Sequence, residues 1–151
     1  MPLWDQLKTK TSEMNSQLKT KAKTFKNTEF ANASMAVCAL IAAADGSIDP
    51  AERQKTAGFI SANDVLSMFP ADQLRTTFDK FCSKLESDFD FGKIEAIQAI
   101  GKLKSKPDQA RAVIQVGIII GGADGDFDEH EKQAVREACF ACGIAPTEFD
   151  L

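Results

Sequence analysis

Two nine-residue stretches concentrate the residues of this chain that could do chemistry. One reads A-D-G-S-I-D-P-A-E from Ala44 to Glu52, the other A-D-G-D-F-D-E-H-E from Ala123 to Glu131. Superposing Asp45 on Asp124, 124 − 45 = 79 residues apart, also aligns Gly46 with Gly125, Asp49 with Asp128, Glu52 with Glu131 and Gln54 with Gln133. Carboxylates at this spacing are hard oxygen donors. They suit a divalent cation such as Ca²⁺, which takes roughly six to eight oxygen ligands from carboxylates, carbonyls and water within a short loop. The candidate ligands are Asp45, Asp49 and Glu52 in the first copy and Asp124, Asp126, Asp128 and Glu131 in the second.

Helix capping is the simpler reading of the same residues. Asp49-Pro50-Ala51-Glu52 has the form of a capping box: the Asp accepts from free backbone N–H groups, Pro fills the first helical position and Glu reaches back. Asp128 to Glu131 has the same form, and Gly46 and Gly125 suit tight turns after a preceding helix. Capping leaves Asp45, Asp124, Asp126 and Glu129 unexplained. Asp45 and Asp124 follow apolar helices, where the macrodipole disfavours another negative charge by about 0.3–1 kcal/mol, so a cation is the economical compensation. The loops match only the second half of an EF-hand, from its third acidic position to the bidentate Glu. The earlier ligand positions are Ile41 and Ala43 in one copy and Ile120 and Gly122 in the other. Each loop therefore binds weakly with much water, or the two converge on one ion.

Other reactive residues point to structure. Cys139 and Cys142 close a helix rather than open one after a strand, and one His leaves too few ligands for a zinc site, so these thiols, like Cys38 and Cys82, read as buried apolar groups. His130 reads as a surface residue, since Ala51 stands at its place in the first copy. No nucleophile motif, P-loop or dinucleotide fingerprint occurs. A metal-dependent hydrolase would use the ion to activate water, yet no base or oxyanion donor is identifiable, and no catalytic residue is expected.

The elements that must position the acidic loops are helices. Residues 29–44 and 108–122 are apolar on most faces, as interior helices are; the second holds a β-branched run, but Pro107 and the repeat favour helix. Helices follow the motifs from Pro50 to about Ser61 and from Glu129 to about Cys142, stopped by Gly143 and Pro146. Between the halves, residues 70–87 and 88–104 are amphipathic, with Leu74, Phe78, Phe81 and Leu85 on one apolar face and Phe91, Ile94, Ile97 and Ile100 on the other. An N-terminal helix carries the seam Trp4, Leu7, Thr11, Met14, Leu18, Ala22 and Phe25. The expected fold is all-α, about seven helices in two pseudo-repeated halves. Residues 1–26 form a Lys-rich amphipathic segment and 27–151 a single helical domain whose repeat spans about 28–61 and 107–142.

Charge narrows the partners. Residues 1–26 carry six Lys against Asp5 and Glu13, which is +4 and leaves −8 on the rest of a chain whose net charge is −4. An acidic body excludes nucleic acid as the main partner, while the basic segment suits an anionic membrane face or an acidic protein. The longest later uncharged stretch, roughly 15 residues, falls short of the ~20 needed to span a bilayer, so a soluble cytoplasmic protein with reduced thiols is expected.

The doubled motif, each copy following an apolar helix, resembles the TerB family of tellurite-resistance proteins. The resemblance runs from the Lys-rich start to the C-terminal helix. It implies an all-helical cytoplasmic protein acting with other tellurite-resistance proteins, among them a membrane-embedded partner, at the inner face of the inner membrane. The family's acidic metal positions correspond to Asp45, Asp49 and Glu52, and to Asp124, Asp128 and Glu131. Asp126 is additional, and Ser47 stands in its place in the first copy, which puts equal affinity of the two loops in question. The expectation is a non-enzymatic module that binds a divalent cation, Ca²⁺ in preference, and presents an acidic surface to partners. The alternative is a metal-independent interaction domain whose motifs are only caps.

Overall fold

The computed structural model describes residues 25–151. Six α-helices follow in order: α1 Thr28–Ala42, α2 Pro50–Ala62, α3 Ala71–Ser87, α4 Phe89–Gly101, α5 Pro107–Gly121 and α6 Glu129–Cys142. Short 3-10 turns at Leu66–Met68, Lys102–Ser105 and Pro146–Phe149 join or end them, and no strand occurs among the described residues. The predicted N-terminal helix, including Trp4 to Ala22 of its seam, lies outside the described residues, as does nearly all of the 1–26 segment.

Helix α1 is the centre of the bundle. Its start is set by Asn27, whose Oδ1 accepts from the Phe30 N–H at 2.9 Å and whose Nδ2 donates to Gln109 at 3.1 Å, tying the first turns of α1 and α5 together. From Phe30 to Ala42 every residue except Asn32 is buried. Such a helix must be apolar all round, and its Ala-rich sequence lets α3, α4, α5 and α6 approach closely.

The β-branched run of α5 is helical, as the repeat suggests. Pro107 occupies the first turn, where its missing N–H costs nothing, and Val113, Ile114, Val116, Ile118 and Ile120 are buried, so tertiary packing outweighs modest helix propensity. Gly117 and Gly121 face α1. A Cβ on Gly117 would collide with Val37 Cγ1, and one on Gly121 would stand 2.8 Å from Phe127 Cε1 and 3.6 Å from Ile41 Cδ1.

Helix α3 buries Leu74, Phe78, Phe81, Cys82 and Leu85, the face its spacing predicts. Helix α4 does not follow its predicted face. Its buried residues are Gly92, Ala96 and Ile100, while Phe91 is 64% and Ile94 55% exposed and Ile97 is half-buried. Only Asp88 separates α3 from α4, and a Cβ on Gly92 would lie 2.6 Å from the Leu85 nitrogen. So close a turnback admits only small residues on the inner face, and the large ones are turned outward. The predicted run to residue 104 also tightens after Gly101 into the 3-10 turn. Helix α6 ends as predicted at Gly143, with φ 76°, where the Ile144 N–H donates to Cys139 O at 2.9 Å.

The α1/α5 contact generates a test. Gly117→Ala should destabilise the protein by about 1–3 kcal/mol, because buried Val37 has nowhere to move. Gly58→Ala on exposed α2, where an added Cβ meets nothing, should stabilise by about 0.5–1 kcal/mol. Urea unfolding of the two variants measures the contrast, and equal effects would contradict the packing described.

Candidate metal centre

Each acidic loop leaves the end of an interior helix and enters an outer one. In the first, Gly46 takes φ 97°, and Asp45 Oδ1 accepts from the Ser47 N–H at 3.2 Å and the Ser47 hydroxyl at 3.4 Å. In the second, Gly125 takes φ 86°, and Asp124 Oδ1 accepts from the Asp126 N–H at 3.0 Å. Both are Asx turns, in which an Asp side chain folds the backbone around the following glycine. Asp45 and Asp124, which capping alone leaves unexplained, thus have a local structural task.

The second Asp of each motif is the N-cap. Asp49 Oδ1 accepts from the Glu52 N–H and Asp128 Oδ1 from the Glu131 N–H, each at 2.8 Å. In the second copy Glu131 Oε1 accepts in return from the Asp128 N–H at 3.1 Å, completing the capping box. Phe127 is buried against Gly121 and anchors this loop, whereas Ile48 anchors the first only half-buried. Ile41 and Ile120, at the first ligand position of an EF-hand, are core residues inside α1 and α5, which rules out that loop geometry here.

The two loops open onto one cleft of about 140 Å³, lined by Asp45, Glu52, Asp124, Asp126, Asp128 and Glu131. Asp49 is the one candidate ligand outside the lining; it is an exposed cap. His130 lies on the rim and is exposed. Among the described residues no three His, Cys, Asp or Glu side chains stand in ready-made ligating geometry. The donor set fits a hard cation nonetheless: six carboxylates line one cleft, and Asp45 and Asp128 use one oxygen on the backbone and keep another, while Asp124 spends its second on Lys55.

One cation already stands in the cleft. Lys55, a turn beyond Glu52 on α2, places Nζ 2.5 Å from Asp124 Oδ2. That bond and the surrounding carboxylates raise the Lys55 pKa. Burial opposes ionisation of Asp124, but the Lys55 ammonium and the Asp126 N–H together hold it below the usual carboxylate range. Glu131 goes the other way: burial first, then the charges of Asp128, Asp124 and Asp126, push it up to about 7 in spite of the Asp128 N–H. Lys55 is the residue that reading the motifs misses, because Ala134 occupies its place in the second copy and the repeat carries no sign of it.

Elsewhere the chemistry is muted. All four cysteines are buried, and burial pushes Cys139 up to about 12 and Cys142 to about 11, as expected of structural thiols. A larger groove of about 260 Å³ between α2 and α3 is lined mainly by Ile60, Leu66, Phe69, Leu74 and Phe78 and offers Arg75 as its one charged group. No helix among the described residues is long and apolar enough to cross a membrane.

Residues 31–151 match the family described as tellurite resistance protein TerB. Tellurium resistance protein TerB of Alcaligenes sp. is 30% identical over 118 residues, which cover 78% of this chain and 97% of that protein. No solved structure matches the chain.

Glu131 makes the cleft sensitive to pH. Its folded pKa of about 7 lies above the ordinary 4.5, so its contribution to stability is complete below about pH 4.5 and is lost as pH rises through about 7. The lowered pKa of Asp124 acts with opposite sign and only in the acid range. Without added divalent ion, the wild-type Tm should therefore fall from pH 5 to pH 8 relative to Glu131→Gln, whose amide keeps the cap. Parallel Tm profiles would contradict this assignment.

Proposed function

The chain belongs to the TerB family of tellurite-resistance proteins, and from that premise we propose a non-enzymatic module whose two acidic loops hold one divalent cation, Ca²⁺ in preference, between them. The observation that carries the proposal is the convergence of both copies of the motif on a single cleft. Neither loop alone offers enough oxygens, and together they approach the number a Ca²⁺ ion takes when water completes its shell. The ion would neutralise clustered carboxylates and fix both helix–loop–helix units relative to each other. In this reading the surface offered to partners depends on the ion.

The partners proposed are other tellurite-resistance proteins, including a membrane-embedded one, at the cytoplasmic face of the inner membrane. The acidic body and the Lys-rich N-terminal sequence support opposite-sign contacts, the latter to protein or anionic lipid. A second reading has an observation of its own. The Asx turns and caps give Asp45, Asp49, Asp124 and Asp128 structural work without any ion, as a metal-independent interaction domain requires.

Calorimetry with Ca²⁺ and thermal unfolding with and without chelator separate the two. An ion bound only by the folded state raises stability by about 2.7 kcal/mol at 100 times its Kd. Asp45→Asn combined with Asp124→Asn should lower the affinity more than about tenfold and leave helicity by circular dichroism unchanged, since each Asn keeps a carbonyl for its Asx turn. No heat of binding at millimolar ion would leave the second reading standing.

A further inference from the structure

The cleft contains a feature that neither the repeat nor the cation reading requires. Lys55 belongs to the helix of the first motif, yet its ammonium is bound to Asp124 of the second. It is the one lysine or arginine among the residues lining the cleft, where His130 lies on the rim. The aligned residue, Ala134, sends nothing back across.

We propose that Lys55 is a tethered competitor for the cation: its ammonium holds the place of the ion against Asp124, and binding exchanges the one for the other. This rests on the cation reading of the cleft. Asp124 Oδ1 is taken by the Asp126 N–H, so a divalent ion ligated by Oδ2 takes the oxygen that Lys55 uses, and two positive centres cannot share it at contact distance. The exchange sets the affinity, since each binding event must break an ion pair first. It also confers a mechanical consequence. Helix α2 buries only Thr56, Ala57 and Ile60, and its polar ties are Lys55 to the second loop and Arg53 to α3, where the guanidinium meets Asp79 and Glu86 at 3.3 Å. Release of Lys55 removes the charged tie of α2 to the second loop and leaves its apolar contacts and the Arg53 pairs, so ion occupancy is reported in the position of α2 and of the groove whose wall it forms.

The test is Ca²⁺ calorimetry on the full chain, with amide NMR of residues 50–62. Lys55→Met should bind Ca²⁺ at least tenfold more tightly than wild type, Lys55→Arg should not, and Lys132→Met, which removes a charge outside the cleft lining, should change affinity less than threefold. Ca²⁺ should shift α2 amides in wild type, and Lys55→Met should show those shifts in part before any ion is added. If wild type and Lys55→Met bind equally, the competitor role is overturned while the cation reading stands. If only Lys55→Met binds at millimolar ion, the exchange is overturned, because Lys55 is then a permanent occupant of the cleft and the wild-type chain holds no cation there. If neither binds at millimolar ion, both fall.

Discussion

The distance between α1 and α5 is the constraint on which the site depends. Gly117 and Gly121 present no side chain where Val37 and Ile41 press on them, so the two interior helices lie closer than any larger residue would allow. Their C-terminal ends therefore emerge side by side, and each end continues into an acidic loop. Two motifs 79 residues apart in the chain become opposite lips of one cleft for this reason, 124 − 45 = 79 being a separation that no local interaction could bridge.

The carboxylates of the cleft work at two scales. Locally they fold the chain: Asx turns reverse it at Gly46 and Gly125, and N-caps start α2 and α6. Those tasks use one oxygen of each Asp concerned. Collectively they accumulate a negative charge that the ammonium of Lys55 answers in part, and burial together with that charge raises the pKa of Glu131. The two scales are compatible because a cap or an Asx turn occupies one carboxylate oxygen and leaves the charge of the group in place.

How much of this is legible in the sequence depends on the range of the interaction. Helix starts and stops are local, and Pro50, Pro107, Asp128 and Gly143 mark them within a residue or two of the observed ends. The repeat identifies both loops, and six of seven candidate ligands share the cleft. The outward turn of Phe91 and Ile94 is not legible, because periodicity assigns large apolar residues to the core and knows nothing of the Gly92 turnback against Leu85. The Asx turns are local too, and an Asp followed by Gly in D-G-x is residue chemistry that suits them. Lys55 was beyond reach: its meaning lies in a contact between α2 and a loop in the other half of the chain.

That the loops form one site and not two is the claim that holds the rest together, and stoichiometry addresses it directly. Native mass spectrometry of the full chain across a Ca²⁺ series should saturate at one ion per chain, with that ion lost when either Asp45 or Asp124 alone is changed to Asn. Saturation at two ions, each abolished by its own substitution, would contradict a shared centre and return the motifs to independent weak loops.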